Sequence, residues 1–127
     1  MPSHKTWHYS NIETHLLLRN TVHNQQRQEY ISAIYLALAQ IPKGKVIAYG
    51  QLAKLAGIAN GARFVGKLMS KLPEGTELPW HRVVNSQGKI SLPLNSEAYL
   101  EQKLRLTHEG VKFINEKINL RIYGYNS

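Results

Sequence analysis

Cysteine is absent from all 127 residues of the chain. Its absence excludes disulfide bonds, thiolate metal sites and catalysis by a cysteine nucleophile. It also agrees with a reducing compartment, and the first residues lack the charged and apolar regions of a secretory signal peptide. We therefore expect a cytoplasmic protein.

Acidic residues and long apolar runs are scarce as well. Sixteen Lys and Arg residues stand against eight Asp and Glu residues, which gives a formal net charge of +8. Such an excess is typical of a domain that approaches phosphate groups. No stretch approaches the roughly 18 apolar residues of a membrane span, so we expect no membrane partner. The 43% of hydrophobic residues suffices for one small core.

Two regions differ in composition. Residues 1–25 are polar, and we predict an N-terminal leader there, followed by one domain over residues 26–127. The spacing of the leader's histidines is not that of a metal site, and no acidic or thiolate partner accompanies them. We therefore expect neither a metal nor a cofactor. These histidines are His4, His8, His15 and His23.

Periodic apolar residues predict three helices in the first part of the domain. Ile31, Ile34, Tyr35 and Leu38 follow helical spacing, and residues 41–44 end that helix. Residues 50–56 and 61–71 then predict two short helices separated by a glycine turn, in which Gly57 adopts a left-handed conformation. The second helix buries Val65, Leu68 and Met69 and presents a polar, basic face. That face carries Asn60, Arg63, Lys67 and Ser70.

The rest of the domain predicts a hairpin and a last helix. Residues 82–84 and 89–91 flank the turn-forming residues 85–88, which is typical of a β-hairpin. Asn95 or Ser96 can cap a helix in which Leu100 and Leu104 share a face and which Gly110 ends. Short β-prone segments follow at residues 111–114 and 118–123. The predicted fold is mainly α with a small β-hairpin, a winged helix-turn-helix.

Four separated sequence blocks carry a family resemblance. They are residues 46–57, residues 62–66, the stretch from Pro79-Trp80-His81-Arg82-Val83 to Gly88, and His108-Glu109-Gly110. Their order and spacing resemble the DNA-binding domain of the O6-alkylguanine-DNA alkyltransferases over residues 29–110. Trp80 stands where those enzymes carry the reactive cysteine, and an indole offers no basic lone pair for attack. The chain therefore resembles the alkyltransferase-like proteins, the non-enzymatic relatives.

The resemblance implies roles for individual residues. Arg63 matches the arginine that replaces an extruded base in the DNA stack, and Tyr49 matches the tyrosine that crowds the 3′ phosphate. Trp80 is expected on the pocket wall, with backbone contacts to the base from Val83 and Ser91. His81, Arg82 and Glu109 are then expected as a structural group beneath the pocket. The phosphate-contact candidates are Gly50, Gln51, Asn60, Ala62 and Lys67.

The implied function is binding without chemistry. The resemblance implies that the chain binds double-stranded DNA containing O6-alkylguanine through the minor groove, flips the damaged nucleotide into a Trp-lined pocket and leaves the alkyl group in place. It also implies hand-over to nucleotide excision repair proteins, and we expect a monomer. Two residues of the enzymes are missing from this chain. Leu72 stands in place of an asparagine of the enzymes, and Pro93 lies near the position of a tyrosine.

Two other function classes stay open at this point. A sequence-specific winged-helix transcription regulator would explain the two short helices and the charge, because such proteins read bases from the major groove. It leaves the motif at residues 79–83 unexplained. A hydrolase could use His81 and Glu109 as acid and base. The sequence offers it no nucleophile and no set of metal ligands.

Overall fold

The computed structural model describes the backbone of residues 4–126 and the side chains of residues 21–126. A 36-residue helix, α1, spans His4–Ala39. The apolar spacing predicts only its last part, from about Glu29. No proline or glycine interrupts residues 4–39, so nothing in the local chemistry ends the helix earlier. The side chains of His4, His8 and His15 lie outside the described residues, and His23 is exposed.

The chain divides into two compact units, Met1–Ser32 and Ala33–Ser127. The first unit contains most of α1, including the region predicted as a leader. The boundary between residues 25 and 26 stays a prediction. In the second unit, the last turns of α1 bury Ile34 and Leu38.

Short elements follow one another through the second unit. After β1 (Ile47–Ala48), two helices form the predicted pair: α2 (Tyr49–Leu55) and α3 (Ala62–Ser70). A 3-10 turn at Trp80–Arg82 leads into β2 (Val83–Val84). Helix α4 (Glu97–His108), strands β3 (Phe113–Ile114) and β4 (Lys117–Ile118), and α5 (Leu120–Tyr123) complete the chain.

The core consists of two clusters of buried apolar side chains. The larger cluster packs the end of α1 against α2 and α3 through Leu38, Leu52 and Val65. The smaller cluster joins Val84 to Leu106 on α4. Because β1 and β2 each contribute to this packing, the segment with the 3-10 turn is anchored between the helices.

Strand pairing differs from the hairpin prediction. Strand β2 pairs in parallel with β1, with Ile47 opposite Val83, and residues 89–91 form no strand. The turn itself is present, because the Asn85 side chain accepts hydrogen bonds from the backbone N–H groups of Gln87 and Lys89. The antiparallel hairpin lies instead at β3 and β4. The mainly helical fold with a small sheet is confirmed, whereas the predicted place of the hairpin is wrong.

Helix α4 buries a different face from the one that its leucines suggest. Leu100 and Leu104 share a face as predicted but are 51% and 54% exposed, whereas Tyr99, Gln102 and Leu106 are buried. Both sets fit helical spacing, so the period alone cannot choose between them. Ser96 caps the helix, because its hydroxyl accepts a hydrogen bond from the Tyr99 N–H. In the described part of the chain, no helix has the length and apolar character needed to cross a membrane.

The end of the chain only partly follows its β-prone pattern. Residues 113–114 and 117–118 form β3 and β4, but Asn119 accepts a hydrogen bond from the Arg121 N–H and begins the short helix α5. Side-chain capping therefore ends the strand, because a capped first turn competes with extended backbone.

Candidate functional site

A cavity of about 840 Å³ lies among α3, the 3-10 turn and α4. Four of the five residues that the resemblance assigns to lesion binding line it: Tyr49, Trp80, Val83 and Ser91. Its walls are mostly apolar, and its volume is in the range of small-molecule sites, about 300–1,000 Å³. The further apolar side chains of the wall are Met69, Leu72, Pro73, Leu92 and Ala98.

Arg63 is the fifth predicted residue, and it does not line the cavity. It lies exposed near the start of α3. Leu72, which aligns with an enzyme asparagine, lines the cavity, whereas Pro93 does not. One departure from the enzyme pattern therefore changes the wall directly, and the other lies outside it.

Trp80 belongs to the 3-10 turn and is half-buried. Its indole meets the His81 ring edge to face, with ring centroids 6.1 Å apart. The guanidinium of Arg105, on α4, lies over the indole at 5.3 Å from the ring centroid. Arg105 also donates from Nε to the Glu101 carboxylate at 2.9 Å. The indole therefore has charged and aromatic neighbours that limit its orientation.

Two charged residues of the cavity lining, Glu101 and Arg105, could not be predicted from the sequence. Glu101 and Arg105 stand four residues apart on one helix, a spacing that predicts an ion pair. Nothing in that spacing predicts a contact with Trp80, because α4 and the 3-10 turn meet only in the folded chain. Both residues line the cavity.

The structure brings together the three residues predicted beneath the pocket. His81 Nε2 and Arg82 Nη2 lie 2.7 and 2.8 Å from the same Glu109 oxygen. The Gly44 N–H donates to the other Glu109 oxygen at 3.1 Å, and Arg82 Nη1 donates to the Ile41 carbonyl at 2.8 Å. This network ties the 3-10 turn to the ends of α1 and α4. None of the three residues lines the cavity.

The charges of this network follow from burial and pairing. Burial alone would raise the pKa of Glu109, but hydrogen bonds from Arg82, His81 and the Gly44 backbone outweigh it and lower that pKa to about 2. Burial lowers the pKa of His81, and together with the positive charges of Arg82 and Arg105 it outweighs the raising effect of Glu109. His81 is therefore a neutral imidazole that donates from Nε2 to an ionised Glu109. Its Nδ1 is buried and has no hydrogen-bond partner among the described residues.

The predicted phosphate contacts lie in the turn between α2 and α3 and on the first turns of both helices, except for Lys67, which lies near the end of α3. All are exposed, and Asn60 has a left-handed backbone with φ of +54°. The turn is tight at Gly61, where a Cβ atom would stand 2.8 Å from Ile58 Cγ2 and 2.9 Å from Ala53 Cβ. The exposed candidates are Gly50, Gln51, Asn60, Ala62 and Lys67.

Comparison with known proteins matches residues 29–111 to a family model described as 6-O-methylguanine DNA methyltransferase, DNA binding domain. The chain belongs to this family. The match covers the two-helix unit, the 3-10 turn and α4, and so includes all the elements that surround the cavity.

Its relatives include proteins named for base flipping. A DNA base-flipping protein of Vibrio parahaemolyticus is 48% identical over 97 residues, which cover 75% of this chain and 94% of the relative. Alkyltransferase-like protein 1 of Schizosaccharomyces pombe is 41% identical over 100 residues, covering 75% and 93%. These matches confirm the resemblance to the alkyltransferase-like proteins.

Solved structures agree with the fold. S. pombe Atl1 in complex with damaged DNA containing O6-carboxymethylguanine matches with a TM-score of 0.73 and 39% identity, covering 79% of this chain and 97% of that one. The DNA complex of Mycobacterium tuberculosis OGT matches with a TM-score of 0.55 and 28% identity, covering 63% and 48%. The alkyltransferase type of DNA-binding domain is therefore confirmed.

Proposed function

We propose that this protein binds double-stranded DNA containing O6-alkylguanine through the minor groove and holds the flipped nucleotide in the cavity beside Trp80. The observation that carries the proposal is Trp80 itself. It lines the cavity at the motif position of the enzymes' cysteine, in a chain that contains no cysteine. The names of the relatives and the damaged-DNA complex of Atl1 support damaged-DNA binding and base flipping.

Contacts with several residues together offset the free energy that base extrusion costs. Unstacking and unpairing a nucleotide costs a few kcal/mol. Packing of the extruded base on an aromatic ring offsets about 1–3 kcal/mol of that cost, and we assign this contact to Trp80. Arg63 fills the vacated place in the stack, because a planar guanidinium can both stack and donate hydrogen bonds. Tyr49 crowds the neighbouring phosphate, and Val83 and Ser91 contact the base through their backbones.

The protein binds the lesion without removing the alkyl group. Alkyl transfer needs a nucleophile, and Trp80 supplies none. His81 and Glu109 hold the 3-10 turn in place. They activate no thiol, because the chain has none.

Bound protein then marks the lesion for nucleotide excision repair. We propose that it acts as a monomer on DNA in the cytoplasm. The phosphate contacts come from the exposed residues around the α2–α3 turn, which hold the backbone of the duplex without reading its bases.

The deciding experiment compares one duplex that carries guanine or O6-methylguanine at a single position. Tighter binding to the alkylated duplex, with the methyl group still on the recovered DNA and the protein mass unchanged, supports the proposal. Preference for a base sequence without preference for the lesion would indicate a transcription regulator instead. A chemically altered base would indicate an enzyme.

A further inference from the structure

Gln102 is a buried polar residue on the cavity-facing side of α4. Its side chain is 4% exposed, and the residue lines the cavity together with Trp80 and Val83. Its amide nitrogen donates two hydrogen bonds, to the His81 carbonyl at 3.1 Å and to the Val83 carbonyl at 2.9 Å. Gln102 therefore fastens the backbone on both sides of Arg82 to α4.

These two partners determine which way the amide points. A backbone carbonyl only accepts hydrogen bonds, so the NH2 group of Gln102 must face both carbonyls. The amide oxygen consequently points away from them. Among the described residues, no donor contacts this oxygen. This oxygen keeps its lone pairs free on a residue that lines the cavity, so a donor supplied by a ligand can bind it.

We propose that Gln102 Oε1 accepts a hydrogen bond from the 2-amino group of the flipped guanine. This inference rests on the proposed function and adds a residue that selects the base. Alkylation at O6 leaves N1 of guanine without a hydrogen, so the 2-amino group is the one N–H donor remaining on that edge of the base.

Base selectivity follows from this contact. O6-methylguanine offers the amino group, whereas O6-methylhypoxanthine has the same ring and methyl group without it. O4-methylthymine has no N–H on the corresponding edge. Loss of one hydrogen bond corresponds to about a three- to tenfold loss of affinity. We expect the wild-type protein to bind O6-methylguanine duplexes more tightly than O6-methylhypoxanthine duplexes by this factor.

The variant Gln102→Lys distinguishes two roles of Gln102, which are accepting a hydrogen bond from the base and holding the backbone at His81 and Val83. A lysine ammonium can still donate to the His81 and Val83 carbonyls, but it has no acceptor. Its added charge raises affinity for every duplex, so the quantity to compare is the ratio of the two dissociation constants. The matched control is Leu100→Lys, which adds the same charge at an exposed position of α4 outside the cavity lining. Gln102→Met, which fills a similar volume without a strong acceptor, is the second variant if the lysine disturbs folding.

The expected result is a ratio near one in Gln102→Lys and Gln102→Met, and the wild-type ratio in Leu100→Lys. A wild-type ratio of one, or an unchanged ratio in both Gln102 variants, would overturn the inference and leave Gln102 a positioning residue. The proposed function fails separately. It fails if the wild-type protein does not distinguish O6-methylguanine from guanine, whatever the 2-amino comparison gives.

Discussion

Arg105 and Trp80 form a cation–π pair at the wall of the cavity, with the Arg105 guanidinium 5.3 Å from the centroid of the indole ring. The two residues come from different elements, α4 and the 3-10 turn, 25 positions apart in the chain. The Glu101 carboxylate accepts a hydrogen bond from the same guanidinium. The proposed platform for the flipped base is therefore oriented before DNA arrives, and preorganisation reduces the entropy lost on binding.

Replacing Arg105 tests this orientation. In Arg105→Gln the indole loses a contact of about 0.5–1 kcal/mol, so we expect preference for alkylated over unmodified DNA to fall about two- to fivefold. Titration of both duplexes measures the preference. The control is Arg121→Gln, which removes an exposed charge outside the cavity lining. Equal changes in the two variants would reduce Arg105 to a general contribution to charge.

Trp80 is the second target. If the flipped base packs on the indole, Trp80→Ala should weaken binding to alkylated DNA by about 1–3 kcal/mol and leave binding to unmodified DNA unchanged. Equal losses on both duplexes would remove Trp80 from lesion recognition. We also expect Trp80→Cys to transfer no methyl group efficiently, because Leu72 and Pro93 lack the polar groups of the enzymes. Rapid methylation of that cysteine, seen as a mass increase, would contradict this expectation.

Arg63 should act differently from the lysines around it. In Arg63→Ala the vacated stack stays unfilled, so a fluorescent base analogue at the lesion site should remain quenched at saturating protein. Arg63→Lys should rescue little, since an ammonium cannot stack. A normal fluorescence increase in Arg63→Ala would leave base extrusion to Tyr49 and the cavity.

The lysines near α2 and α3 provide the comparison for Arg63. Each one that contacts a phosphate acts through counterion release, so its loss should reduce the salt dependence of binding by about one unit of slope. Lesion preference should not change. The residues to replace are Lys54, Lys67 and Lys71.

Glu109 makes the fold sensitive to acid. Its pKa is lowered from the ordinary 4.5 of a glutamate to about 2, so the folded state favours the ionised carboxylate. The ionised carboxylate stabilises the fold by about 3 kcal/mol. This stabilisation is complete at pH values above the pKa of the unfolded state, and it is lost as pH falls from about 4.5 towards 2. The free energy of unfolding, measured with urea, should therefore be higher in the wild type than in Glu109→Gln at pH 6. This difference should shrink by about 3 kcal/mol at pH 2. The control variant is Glu97→Gln, which removes an exposed carboxylate from the first turn of α4.

Gly88 should tolerate no side chain. Its φ is +81°, and a Cβ atom would lie 2.3 Å from the Ile118 carbonyl oxygen, which belongs to the backbone and cannot move aside alone. Gly75 has a similar φ of +77° but open space around it. Thermal unfolding should show Gly88→Ala to be the more destabilised of the two alanine variants. Equal losses would indicate that backbone strain alone, without the clash, sets the cost.

Several features could be predicted from the sequence because they depend on neighbouring residues. The pair α2 and α3 follows from apolar spacing, and Gly57 has the predicted left-handed conformation with φ of +83°. Ser96 caps α4 as its position predicts. The pairing of β1 with β2 could not be predicted in this way. Residues 82–84 and 89–91 flank a good turn, yet the parallel partner of β2 lies 36 residues earlier in the chain.

The sequence by itself determined the net charge, the absence of a thiol and the motif that puts Trp80 in place of a nucleophile. These are properties of residue identity and order, which no folding step changes. Only the tertiary structure decided which face of α4 is buried, and therefore that Gln102 and Arg105 meet the cavity while Leu100 and Leu104 face solvent. Both faces satisfy the helical period. The buried face packs Leu106 in the cluster with Val84 and lets Gln102 donate to the His81 and Val83 carbonyls, and these partners come from another part of the chain.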